Sequence, residues 1–307
     1  MAWIKRNAGM NLGKLQTVIV LLWILILCIP TSILPSRVLY YYIVKYFNLF
    51  DPILLNPLGP MIILIMIMLQ FLSYSLLFFY LLRKLPQLRR KIRLNLQHQT
   101  ASSFDVLTSF LAVFIVMFLL ETSLCMTLFL PVEHDVASLV NSTPMACGDD
   151  FECLVRKVVD YVDARLNSSW NNPMAVLEID NTLSSFDYSF LSVLGFTRAH
   201  VILWQGWGSC GQYAITVAYL MNRLGYTARI SRFLDIDHMW AEVFANGTWY
   251  IVDPWYIGIV YENQHHGNRH LVPANILASL ENFTGYHQVS CEYFNETITN
   301  CTSEHGY

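Results

Sequence analysis

Three apolar runs, residues 15–34, 59–82 and 104–130, dominate the first 130 residues of this 307-residue chain, and they constrain its fold more than any other feature. Each reaches the roughly 20 residues that a helix needs to cross a bilayer. The composition follows from them: 55% of residues are hydrophobic and 13% charged, where a soluble domain averages about a quarter charged. The expected organisation is a membrane anchor of three transmembrane helices over residues 1–130 and a separate domain over 131–307. A cleaved leader is the alternative for the first run, because Lys5, Arg6 and Lys14 precede it. Its apolar core is long for a leader, and no small-residue cleavage site follows Pro30.

Charge sets the expected orientation. The loop after the second run holds Arg83, Lys84, Arg89, Arg90, Lys91 and Arg93 with no acid, so the positive-inside rule makes it cytoplasmic. The N-terminus is then cytoplasmic, and residues 131–307 form an extracellular or luminal domain of an integral membrane protein. Glycosylation sequons agree with that topology: six begin at Asn141, Asn167, Asn246, Asn282, Asn295 and Asn300, and none precedes residue 131. An Asn-x-Ser/Thr triplet is an acceptor only on the outer or luminal side.

The cysteines point the same way. Cys28 and Cys125 lie in the apolar runs, while Cys147 and Cys153, and again Cys291 and Cys301, are close neighbours. If both pairs close as disulfides in an oxidising compartment, Cys210 is the thiol left over and a candidate for reactivity. The outer domain also carries 19 acids against 8 Lys and Arg, which argues against a nucleic-acid partner.

Within that domain, residues 131–150 read as a linker. Leu154, Val155, Val158, Val159, Val162 and Leu166 recur at spacings of three and four, which predicts a helix from about 151 to 166. Asn171, Asn172 and Pro173 end it, and 174–200 is expected to be further helix. A glycine-rich turn, Gln205-Gly206-Trp207-Gly208-Ser209, leads into a helix over 210–224, with Ser209 as N-cap and Gly225 as its stop. Strands are expected over 227–233, 239–245 and 248–252, the last two joined by Asn246-Gly247, a strong hairpin signal.

This arrangement places three chemical groups in order. Cys210 opens a helix, where unpaired amides and the macrodipole favour thiolate over thiol. His238 opens a strand and can exchange a proton with that sulfur and with a leaving amine. Asp253 ends the opposite strand of the hairpin, so antiparallel pairing returns it to the side of His238, where it can hold the imidazole in one tautomer.

Residues 204–256 resemble the transglutaminase-like superfamily. The resemblance rests on the glycine-rich turn before Cys210, the helix ending in Leu-Gly-Tyr-Thr-Ala-Arg, the His-x-Trp-x-Glu-Val segment at His238 and the Trp-Tyr-x-Val-Asp-Pro segment at Asp253. It implies an α+β domain of papain-like layout, helices packed on an antiparallel sheet, and acyl transfer through a thioester with Cys210, His238 and Asp253 as catalytic triad. Asp-His-Met-Trp-Ala-Glu-Val and Val-Asp-Pro look much like the peptide:N-glycanase branch, although the paired C-x-x-C zinc motif usual in that branch is missing.

The oxyanion hole is expected to combine the Cys210 amide with a side-chain donor, for which Trp204, Gln205 and Trp207 are candidates; Trp255 is the candidate for a substrate groove. No cofactor or metal is called for. His265, His266 and His270 read as a solvated stretch, and Glu121, inside the third run, as a packing contact with the Ser73-Tyr74-Ser75 patch. The expected function is a membrane-anchored cysteine enzyme that hydrolyses or exchanges amide bonds of a protein, peptide or glycopeptide. A catalytically inactive peptide- or glycan-binding module of the same fold is the alternative.

Overall fold

The computed structural model of the chain describes the backbone of residues 103–168, 185–233, 236–279 and 286–288, with isolated positions at 38, 41, 42, 61, 65, 68, 72, 73, 75, 76, 80, 180 and 183. Apart from such positions, the first and second expected spans lie outside the described residues. Among the latter, Met61, Ile65, Met68, Leu72, Leu76 and Tyr80 are helical, spaced three or four apart, and each more than half exposed. One helix among the described residues is long and apolar enough to cross a membrane. This is α1, Ser103–Cys147, in which an 18-residue window within Leu111–Cys147 reaches a mean hydropathy of 2.3.

The chain divides into two compact units, one of Met1–Met126 with Leu183–Phe190 and one of Thr127–Thr182 with Leu191–Tyr307. In the first, Glu121 interacts electrostatically with the buried Asp187, a neighbour not anticipated from the sequence. The second unit carries the mixed helix and sheet architecture.

Residues 131–147 are not the linker that the sequence suggested, because α1 continues through them with Pro131 and Pro144 inside it. A proline costs a helix one hydrogen bond. Packing offsets that loss: Val136 is fully buried in the domain core, and Val132, Leu139 and Val140 from the same face pack against it. The extension is also held at Glu133. Arg223 donates to both oxygens of that carboxylate at 2.9 and 3.0 Å. His200, whose Nδ1 accepts from the Thr197 amide at 2.9 Å, keeps its proton on Nε2 and offers it to Glu133 Oε2 at 2.8 Å.

Helix α2, Phe151–Arg165, starts where Asp150 accepts from the Cys153 amide at 3.1 Å. It buries the predicted face of Leu154, Val155, Val158, Val159 and Val162. The short strand β1, Asn167–Ser168, pairs in parallel with β2, Trp207–Gly208. Between them, where more helix is expected over 174–200, the described residues include α3, Ser185–Val193, and α4, Arg198–Gln205; Gly195, at φ 86°, supplies the left-handed turn that separates them. Residues 171–173 lie outside the described residues.

Helix α5, Cys210–Arg223, lies against the sheet, with Ile215, Ala218 and Met221 in one core with Ile230, Val243 and Val252. The sheet runs β6-β5-β4-β3-β7. Its strands are β3, Thr227–Phe233; β4, Met239–Ala245; β5, Thr248–Val252; β6, Val272–Pro273; and β7, Tyr286–Gln288. All neighbours are antiparallel. Asn246 and Gly247 both take positive φ, 51° and 78°, the tight hairpin turn whose twist matches the strands. Helix α6, Ile257–His265, follows β5.

Candidate active site

Three elements deliver three side chains to one place. At the start of α5, Ser209 is extended, with φ −95° and ψ −174°, and its amide donates to Gln212 Oε1 at 2.8 Å. This reciprocal cap requires the preceding turn to press against the helix. A Cβ on Gly208 would stand 2.5 Å from Gln212 Cβ, so only glycine fits there. Cys210 is thereby the first residue of the helix, in the field of its unpaired amides. It is unbonded to any other cysteine and partly exposed.

The hairpin supplies the rest. The register that pairs Ala241 with Val252 puts His238, just before β4, next to Asp253, just after β5. His238 Nε2 lies 2.6 Å from Asp253 Oδ2. The same oxygen accepts from the Ile257 amide at 3.0 Å, so the carboxylate, 2% exposed, is fixed by the start of α6. Gly258 makes that approach possible, since a Cβ there would fall 2.0 Å from the Arg269 carbonyl oxygen and 2.8 Å from that of Asp253.

With Nε2 engaged by the carboxylate, Nδ1 is the nitrogen left for the Cys210 thiol, which is near enough to help raise the imidazole pKa. The ring is held by Phe233 and Trp240 roughly parallel to it and by Tyr256 edge-on, at centroid distances of 6.3, 6.4 and 4.8 Å. Burial alone would lower the imidazole pKa from 6.5, but the bond to Asp253 and the nearby Cys210 sulfur outweigh it and push it up to about 9. A sulfur, an imidazole and a carboxylate thus share one wall, an arrangement with the chemistry to store a thiolate beside an imidazolium and to pass a proton to a departing group.

The group opens on a cavity of about 600 Å³ whose wall includes Arg198, Cys210, Asp237, His238, Trp255 and Tyr256. Trp255 is there as expected, edge-on to Tyr213 at 4.4 Å, with its indole donating to Asp163 at 2.8 Å. The other proposed donors are not on that wall. Gln205 is buried behind the turn, its amide nitrogen given to Asp180 at 3.0 Å and to the Trp207 carbonyl at 2.9 Å. Trp207 is 2% exposed, and Trp204 packs edge-on against Phe129 at 6.0 Å. The polar side chains that the wall does carry, Arg198 and Gln212 among them, gave no local signal. Arg198 reaches the site only because α4 folds back beside α5.

Cys147 and Cys153 are bonded as a disulfide; Cys291 and Cys301 lie outside the described residues. Asn141, Asn167 and Asn246 are exposed, Asn246 at the hairpin tip; Asn282, Asn295 and Asn300 lie outside the described residues. His265 and His266 are exposed.

Comparison with known proteins agrees with the fold. Residues 148–254 match the family model of the transglutaminase-like superfamily core, so that stretch is a transglutaminase-like superfamily domain. No curated protein matches the chain. Among solved structures, one described as the crystal structure of a TGase is similar at 20% identity and a TM-score of 0.28, over 40% of this chain. The chain spans 31% of that structure's length.

Proposed function

We propose that this transglutaminase-like domain is a membrane-anchored cysteine enzyme acting on amide bonds of proteins, peptides or glycopeptides, with Cys210, His238 and Asp253 as its triad. One observation carries the reading: a single imidazole is held by a buried carboxylate at 2.6 Å and shares the wall of an open cavity with a free thiol at a helix start. A merely structural histidine has no need of a cysteine and a carboxylate on opposite nitrogens.

In the proposed reaction the Cys210 thiolate adds to the amide carbonyl carbon, and the C–N bond breaks as His238 Nδ1–H gives its proton to the leaving amine. The acyl group is then a thioester on Cys210. Water or a second amine, deprotonated by the now neutral Nδ1, displaces the sulfur to give an acid or a new amide. Asp253 holds the ring in the tautomer that both half-reactions require. The likeness of the segments at His238 and Asp253 to the peptide:N-glycanase branch supports a glycopeptide as one substrate class. The apolar α1, the sequons and the disulfide support an integral membrane protein with this domain on the extracellular or luminal side.

The test is covalent. Full-length protein incubated with a peptide or glycopeptide pool should acquire an acyl adduct on Cys210, read by mass spectrometry. His238→Ala should lower the rate of adduct formation by about 10²–10⁴, the usual worth of a positioned acid–base group. Equal rates in the two proteins would exclude the triad. Peptide binding without any adduct, unchanged in Cys210→Ala, would instead describe a binding module.

A further inference from the structure

Behind the turn that presents Cys210 lies a carboxylate that the proposed chemistry does not use. Asp180 is 1% exposed, and three side chains converge on it. Arg198 Nη2 and Gln212 Nε2 approach Oδ2 at 3.1 and 3.3 Å, and Gln205 Nε2 approaches Oδ1 at 3.0 Å. The Asp180 amide donates back to Gln205 Oε1 at 3.4 Å. Burying an ion pair stabilises a fold little, and apolar residues of the same volume often do as well, so stability alone does not account for this one.

Direction does. With its Nε2 on the carboxylate, the Gln212 amide must aim Oε1 at the Ser209 amide, which it meets at 2.8 Å. Gln205 ties the other end of the turn by donating to the Trp207 carbonyl at 2.9 Å. The ion pair is also lopsided: the Asp180 side chain is fully buried, whereas 16% of the Arg198 side chain is exposed, and Arg198 shares the cavity wall with Cys210. Asp180 is therefore not on the cavity wall, yet it orients both the helix start and a cation that is.

We propose that Asp180 is the positioning residue of the Cys210 site, holding the Ser209–Gln212 turn and the Arg198 guanidinium where they meet the negative charge of the thiolate and of the oxyanion formed from it. This rests on the reading of Cys210 as nucleophile. The other titratable groups on the cavity wall, Tyr213, Asp237, His238, Asp253 and Tyr256, stay unaltered in the test.

The experiment is alkylation of Cys210 by iodoacetamide across pH in the full-length protein, with the site read by mass. Arg198→Met removes a positive charge from the cavity wall that also holds the thiolate, so the profile moves to higher pH and the rate at pH 7 falls about tenfold, a shift of about one pH unit. Asp180→Asn removes a negative charge from behind the turn and moves the profile to lower pH. Arg198→Lys keeps the charge and stays near the wild type. A purely structural role would move both charge-removing variants the same way; that result, or no movement in either, overturns the proposal. Should Asp180→Asn not fold, the contrast of Arg198→Met with Arg198→Lys decides alone. His238→Ala, run in parallel, separates the two ideas. Alkylation unchanged there sinks Cys210 as an activated nucleophile, whereas alkylation that needs His238 but ignores Arg198 and Asp180 sinks only this inference.

Discussion

His238 is the residue at which charge and fold stability meet. Its pKa in the folded protein, about 9, stands above the ordinary 6.5, because the bond to Asp253 and the nearby Cys210 sulfur outweigh the effect of burial. Folding therefore favours the protonated ring, and the stabilisation is complete below about pH 6.5 and lost as pH rises toward and through about 9. We expect the urea midpoint of the full-length protein, followed by tryptophan fluorescence, to fall across that window. In Asp253→Asn, which keeps the shape but not the charge, the fall should largely vanish. Parallel pH dependences in the two proteins would mean that the imidazolium is not what Asp253 holds.

At the scale of elements, the site depends on close approaches of backbone. Gly208 touches the first turn of α5, Gly258 passes against the Arg269 carbonyl, and Gly211 faces only Met239, where an added Cβ would stand 3.2 Å from Sδ. A thioether moves easily and a backbone carbonyl does not. Gly208→Ala and Gly258→Ala should each destabilise by about 1–3 kcal/mol, the ordinary cost of overpacking, and Gly211→Ala by clearly less. Denaturation midpoints would check this ranking, and Gly211→Ala as the worst of the three would contradict it. The clasp of Arg223 and His200 on Glu133 joins α5 and α4 to the extension of α1, so the helix that presents Cys210 is braced at both ends.

For the whole molecule, the expectation concerns sides of a membrane. In sealed microsomes the domain should be protected from added protease and should carry glycans at the exposed Asn141, Asn167 and Asn246. Endoglycosidase treatment should lower its mass, and Asn246→Gln should remove one step of that change. An unglycosylated domain digested from the cytosolic side would reverse the proposed orientation, even if the fold and the site stood unchanged. The chain should also remain in the pellet after alkaline extraction, since removing the apolar stretch 111–130 of α1 from lipid exposes its surface to water.

Local periodicity and turn chemistry were enough, in the sequence alone, to set α2, α5, the three long strands and the Asn246-Gly247 hairpin, because each is governed by neighbours within a few residues. They also singled out Cys210, His238 and Asp253, each of which sits at the end of such an element. Tertiary structure alone decided that α1 runs past Pro131, since the buried face that offsets the proline has its partners elsewhere in the domain. It decided equally that Gln205 faces Asp180 rather than the cavity, and that Arg198 reaches the wall. Those outcomes depend on contacts between residues far apart in the chain, and the desolvation and packing that choose among them exist only once distant segments have met.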